Sequence, residues 1–236
     1  MPPTSSVIPG PPAPAAVLFD LDGTLVDSER ENVESVVLAC RRHGVEMTEE
    51  DRRFVIGHSW NEIHQRLARG HGLAVPMESL IAQAVDEKRE LMKTSGYRAL
   101  PAAVETVRRL AGRCPLAIAS GASRAEVQDA IHGIGVADCF PVALGAEDYA
   151  RGKPEPEPYL MAMDRLGVRA AAARCVVIED ATPGILAGRA AGTRVVGVRV
   201  GNFVGYDLSA ADVVVDTLAD LTDDLLGRLV GPALRL

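Results

Sequence analysis

The stretch Ala16-Val17-Leu18-Phe19-Asp20-Leu21-Asp22-Gly23-Thr24-Leu25 limits what this chain can fold into more than any other. Its unbroken apolar start reads as a strand buried on both faces, which places it in a parallel sheet covered by helices. Open sheets of that kind hold their ligand crevice beyond the carboxyl ends of the strands. Asp20 and Asp22 fall at that end, and residues two apart in extended chain point to the same side. Buried carboxylates are costly unless they are paired, bind metal or do chemistry. Taken alone, the same residues also fit an acidic strand-to-helix turn in which Asp or Ser caps the helix.

Past this strand the pattern turns helical. Glu29 to His43 carries Val33, Val36, Val37 and Cys40 at i, i+3, i+4 and i+7, and it stops at Gly44, where a C-cap glycine belongs. Thr48-Glu49-Glu50-Asp51 opens a second helix. Ser59-Trp60-Asn61-Glu62 has the capping-box pattern for a third, with Trp60, Ile63 and Leu67 on one face. Met77 to Thr94 reads as a fourth. Since no β-type run interrupts them, residues 28–95 are predicted to form a small inserted helical cap. From Leu100 onward helices and strands alternate, with apolar strands at 116–119, 142–144, 175–178, 194–198 and 213–215. The expectation is an α/β chain: a doubly wound, Rossmann-like parallel sheet core over residues 15–27 and 96–236, carrying the α-helical cap domain. Residues 1–14 include six prolines and read as a disordered tail.

Composition excludes several functions. A net charge of −7 argues against nucleic acid and anionic membrane as partners. It also means that an anionic substrate needs a local cation to reverse the field. Cys40, Cys114, Cys139 and Cys175 are widely spaced and form no CxxC pair, which fits neither zinc nor a disulfide framework. Reduced, buried thiols and a cytoplasmic location are expected. No apolar run reaches membrane-spanning length, and the N-terminus has no signal-peptide pattern. A monomer or weak dimer is expected.

Three further segments add chemistry. The strand 175–178 runs into Glu179-Asp180-Ala181-Thr182-Pro183-Gly184, repeating the layout of the first strand. Four carboxylates meeting at one sheet edge could not all stay ionised without a cation. An all-oxygen site with few protein ligands suits Mg²⁺, which bridges to substrate phosphate. The strand 116–119 delivers Ser120-Gly121-Ala122-Ser123 to the same edge, where a hydroxyl and free N–H groups can hold an anion. Ser123 is the better helix cap, which leaves Ser120 for ligand. Lys153, braced in Gly152-Lys153-Pro154, can complete the cation count for a phosphate.

In this order the four segments resemble the haloacid dehalogenase superfamily, in particular its helical-cap phosphatases and β-phosphoglucomutase-like members, over roughly Ala16 to Val215. The resemblance implies a Mg²⁺-dependent phosphatase acting on a small phosphorylated metabolite, a sugar or polyol phosphate, through an aspartyl-phosphate intermediate. It makes Asp20 the nucleophile and Asp22 the general acid/base, which must therefore hold a proton near neutral pH. Ser120 and Lys153 hold phosphate, with Gly121 beside them. Asp180 and Asp20 bind metal together with the Asp22 carbonyl, and Glu179 acts through water or behind the ligands. Thr24 fixes the turn or meets substrate. In the cap, Gly57-His58-Ser59-Trp60-Asn61 is the segment expected to face substrate, with His58 and Ser59 as contacts.

Two alternatives remain. Phosphoglucomutase-like members carry a His in the first cap helix and an Arg after the Gly-x-Ser, where this chain has Asn32 and Trp60. That lowers the mutase reading, although Lys88 and Arg89 could supply a second cationic cradle. A phospho-Asp receiver-like signalling module uses similar residue types, but it is shorter and lacks a cap. The lifetime of the aspartyl phosphate separates it from an enzyme.

Overall fold

The structure is a computed structural model that describes residues 11–56, 58, 60–202 and 205–231. In chain order the elements are β1 (Ala16–Phe19), β2 (Val26–Asp27), α1 (Glu29–Arg41), α2 (Glu49–Val55), α3 (Trp60–His71), α4 (Met77–Ser95), β3 (Arg98–Ala99), α5 (Ala103–Ala111) and β4 (Leu116–Ala119). They continue with α6 (Arg124–Gly133), β5 (Val142–Leu144), α7 (Glu157–Leu166), β6 (Cys175–Glu179), α8 (Thr182–Ala190), β7 (Arg194–Val198), β8 (Val213–Val215) and α9 (Asp223–Val230).

Six strands form one parallel sheet in the order β5-β4-β1-β6-β7-β8. Alternation along β1 sends Val17 and Phe19 to one face and Ala16 and Leu18 to the other. Val17 and Phe19 pack with residues of α5, α6 and α9, and Ala16 and Leu18 with residues of α7 and α8. Both faces of the strand are therefore dry, as its apolar run requires. The chain runs outward from β1 through β4 to β5, then returns to the other side of β1 for β6. The switch point of the sheet is thus at β1. Phe19 is level with Ile118 of β4 and Ile178 of β6, so the three loops that follow these strands open side by side.

Helices α1–α4 pack around a core of their own that includes Val36, Cys40, Ile63, Leu67 and Leu80. This body joins the sheet through a ribbon that periodicity did not reveal. In it β2 and β3 pair antiparallel, Val26 with Ala99 and Asp27 with Arg98. Arg98 also reaches the buried Glu31 of α1 at 3.2 Å. The expected tail lies, over residues 1–10, outside the described residues. Pro11 and Pro12 are placed against α9, where a Cβ at Gly227 would meet Pro11 Cβ at 2.6 Å. The four cysteines are free and buried. Among the described residues no helix is long and apolar enough to cross a membrane.

The turn after β5 is pinned by Asp148, whose side chain is 2% exposed. It accepts from the guanidinium groups of Arg124 and Arg165, each at 2.8 Å, and from the Gly145 N–H at 3.0 Å. Burial pushes this carboxyl up, but the Arg124, Gly145 and Arg165 hydrogen bonds outweigh it and hold the pKa at about 2. The folded value lies below the ordinary one of about 3.9. The stabilisation is therefore complete above that value and disappears as pH falls towards about 2. Urea midpoints measured from pH 5 downwards are expected to decline through this window. Asp148→Asn is expected to lower the midpoint at neutral pH and to flatten the decline.

Candidate active site

Each chemistry-bearing side chain sits where a parallel strand ends. Asp20 follows β1 directly and its N–H donates to Ile178 O at 3.0 Å, which locks it beside β6. Glu179 ends β6 and Asp180 follows it. Carboxylate oxygens of Asp20, Glu179 and Asp180 all lie within 4.8 Å of one another, and all three residues are buried. Ser120 follows β4. Its hydroxyl accepts from Ala122 N–H at 3.1 Å, and its carbonyl accepts from the Tyr149 hydroxyl at 2.5 Å. Ser123 caps α6 by bonding Glu126 N–H, as expected. Asp20, Asp22, Ser120, Gly121, Lys153 and Asp180 line one cavity of about 350 Å³.

Lys153 reaches into this cluster from the loop before α7. Its Nζ lies 2.5 Å from Asp20 Oδ1 and 2.6 Å from Glu179 Oε1. Burial alone would depress its pKa, but the facing Asp20 and Glu179 carboxylates hold it well above the usual lysine value. Burial raises Asp20 to about 7, with Lys153 opposing the rise and Glu179 adding to it. Asp180 is pushed well up by burial and by the charges of Asp20 and Glu179. Three carboxylates thus share one ammonium group, which leaves a deficit of positive charge.

That deficit and the hard oxygen donors of Asp20 and Asp180 fit a divalent cation such as Mg²⁺. The backbone is shaped to let these carboxylates in. A Cβ at Gly23, where φ is +78°, would stand 2.2 Å from Asp180 Oδ2, and one at Gly184 would stand 1.6 Å from Glu179 Oε1.

The structure narrows the roles expected of Glu179 and Thr24 and changes those expected of Asp22, Lys88 and Arg89. Glu179 has no acceptor position to spare: Oε1 takes Lys153 and the Tyr159 hydroxyl (2.8 Å), and Oε2 takes the N–H groups of Asp180 and Ala181. It orients Lys153 and the Asp180 backbone, and is not an open metal ligand. Thr24 is fully buried and donates to Asp180 Oδ1 at 3.3 Å, so it steadies that side chain from behind and does not line the cavity. Asp22 was expected to hold a proton. Burial does push its pKa up, but Lys88 at 2.8 Å and Ser28 at 2.5 Å outweigh this and keep it below the usual carboxylate value. Lys88 is therefore spent on Asp22, and Arg89 turns to Asp86 at 3.1 Å, so neither forms the second cationic cradle considered above. His58 lines the space that adjoins the cavity on its cap side. Its ring stacks on Phe54 at 3.6 Å and its Nδ1 meets Phe54 O at 2.8 Å. Gly57 and Ser59 lie outside the described residues.

Sequence reasoning missed Ser28 and Tyr159 as parts of this site and gave Lys88 a different role, in a second cationic cradle. Ser28 stands at the N-cap of α1 yet makes no cap bond, because its hydroxyl goes to Asp22. Tyr159 is wholly buried in the first turn of α7, six residues past the lysine it serves, and Lys153 Nζ sits 5.1 Å above its ring. Only its position shortly after Lys153 could have signalled it.

The chain matches the haloacid dehalogenase-like hydrolase family over residues 17–198. It is 36% identical over 209 residues to hexitol phosphatase A of Escherichia coli K12, a match covering 87% of this chain and 92% of that protein. It is 33% identical over 216 residues to validoxylamine A 7'-phosphate phosphatase of Streptomyces hygroscopicus subsp. limoneus, covering 87% and 93%. Among solved structures, a HAD family hydrolase from Deinococcus radiodurans R1 with bound phosphate and sodium superimposes with a TM-score of 0.67 at 28% identity. That match covers 94% of this chain and all of the other.

Proposed function

The chain belongs to the haloacid dehalogenase-like hydrolases and is a phosphoric monoester hydrolase among them, and we propose that it is a Mg²⁺-dependent phosphatase of small sugar or polyol phosphates working through an aspartyl phosphate. One observation carries this reading. Asp20, Lys153 and Asp180, which are far apart in sequence, line a single cavity with Asp22 at its wall.

Mg²⁺, when bound, would be held by the carboxylates of Asp20 and Asp180 with the Asp22 carbonyl, and would supply counter-charge to the phosphoryl oxygens. The protein groups do the rest. Ser120 and the N–H groups beside it take phosphoryl oxygens, and Lys153 offsets charge between them and Asp20. A carboxylate oxygen of Asp20 attacks phosphorus. The new O–P bond forms as the ester P–O bond breaks, and Asp22 gives its proton to the departing oxygen. Water then attacks the phosphorus of the aspartyl phosphate. Asp22 takes the water's proton, the Asp20–P bond breaks, and phosphate leaves.

Held ionised by Lys88, Asp22 is poised as the base of the second step. For the first it must bind a proton, which an adjacent phosphate dianion favours. Protein stripped with EDTA is expected to release no phosphate from hexitol 6-phosphates and to recover on addition of Mg²⁺. Release that is undiminished in EDTA removes the metal from the reading. No release from any phosphomonoester removes the phosphatase.

A further inference from the structure

The catalytic cavity does not end at Asp22. Past Asp22, Gly121 and Tyr206, which line both spaces, it continues into a larger chamber of about 640 Å³ between the cap and the sheet. This is where the part of a substrate beyond its phosphate must lie, and its walls are unlike each other. The cap side is largely apolar, with Val36, Val55, Trp60, Ile63 and Val85, and Asn32, Ser35 and His58 are set among them. Val85 keeps 38% of its surface exposed, and Val55 and Trp60 are only partly covered by the cap core. An open apolar surface of this kind suits the carbon face of a ring or a long polyol.

The sheet side carries Glu126 and Glu147. Each uses one oxygen locally. Glu126 Oε2 accepts from the N–H and hydroxyl of Ser123, and Glu147 Oε2 accepts from Arg124 N–H at 2.8 Å. Among the described residues no donor meets Glu126 Oε1, and the Glu147 carboxylate takes one further bond, from its own N–H. The guanidinium of Arg124 is turned away, onto Asp148. Lys88 is the one lysine or arginine among the described lining residues, and it is held by Asp22 and faces Glu126 as well.

From this charge pattern, and resting on the phosphatase reading above, we infer that the chamber selects phosphomonoesters whose leaving group bears no second anion. Those that carry an amine on a hydroxylated ring are preferred. A second phosphate or a carboxylate would face two glutamates with no free cation to receive it, and like charges brought together are strongly disfavoured. A protonated amine would instead meet the carboxylates of Glu126 and Glu147.

The test separates selection from turnover. Calorimetry with Mg²⁺ present, on protein carrying Asp20→Asn so that no ligand is hydrolysed, measures the affinity for glucosamine 6-phosphate, glucose 6-phosphate, phosphoglycolate and fructose 1,6-bisphosphate. Release of phosphate from p-nitrophenyl phosphate by wild-type protein reports the chemistry. Glucosamine 6-phosphate is expected to bind about 10-fold more tightly than glucose 6-phosphate and on the order of 100-fold more tightly than the two competitors that carry a second anionic group. In the Glu126→Gln/Glu147→Gln variant the first ratio should fall to about one, since Gln keeps the capping-box geometry at 126 and removes only charge. The inference is overturned if phosphoglycolate or the bisphosphate binds as well as glucose 6-phosphate, or if the double variant keeps the wild-type preference. Selective binding without release from p-nitrophenyl phosphate would overturn the phosphatase reading and leave the selectivity standing.

Discussion

In the Asp20→Asn variant, phosphate release is expected to fall by at least about 10⁴-fold while the fold survives. The amide matches the carboxylate in shape and can still accept from Lys153 Nζ, which lies 2.5 Å from Asp20 Oδ1. It cannot attack phosphorus. Nor should stability suffer, because the substitution removes one of three carboxylates crowded within 4.8 Å. Circular dichroism melting should give a midpoint no lower than that of the wild type. Acid quenching during turnover of a labelled substrate should trap phosphate on wild-type protein and none on the variant. Mg²⁺-dependent turnover above about one hundredth of wild type would place the nucleophile elsewhere.

Lys153→Ala is expected to damage both the chemistry and the fold. The Lys153 side chain is 13% exposed and bridges Asp20 and Glu179. Removing it strands carboxylates that have no other ammonium group, and breaking a buried pair in this way costs about 3–5 kcal/mol. The loss of a charge that offsets the transferring phosphoryl group should lower kcat by about 10²–10³-fold. Lys153→Arg is not expected to restore either, since a planar guanidinium does not fit a saddle made for a compact ammonium. Urea unfolding checks the first effect, and added Mg²⁺ should recover part of the lost midpoint by binding the exposed acids. A variant as stable and as active as wild type would remove Lys153 from its assigned place.

The parts of this molecule that could be read from its sequence are those governed by local rules. The runs at β1, β4 and β6 are apolar throughout because both faces are covered, so their ends, and the residues that follow, could be placed. The helices between residues 28 and 95 announced themselves by periodicity and caps. What could not be read depends on contacts between distant residues. Lys88 stands in Asp86-Glu87-Lys88-Arg89-Glu90, a charged helix face with nothing to tie it to its partner Asp22, which is 66 residues away. Glu179 looked like one more metal acid, because the four donors that occupy it come together only in the folded chain. The strands β2 and β3 have two residues each, too few for any alternation to register.

That small ribbon has a consequence for how such a molecule can change. Since Val26 pairs with Ala99 and Asp27 with Arg98, the polypeptide departs for the helices and comes back through the same doorway. Everything beyond the threshold could be exchanged for a different lodger without reordering a single strand behind it. Appetite for new compounds could then be acquired by grafting, while the machinery that breaks the ester stays as it is.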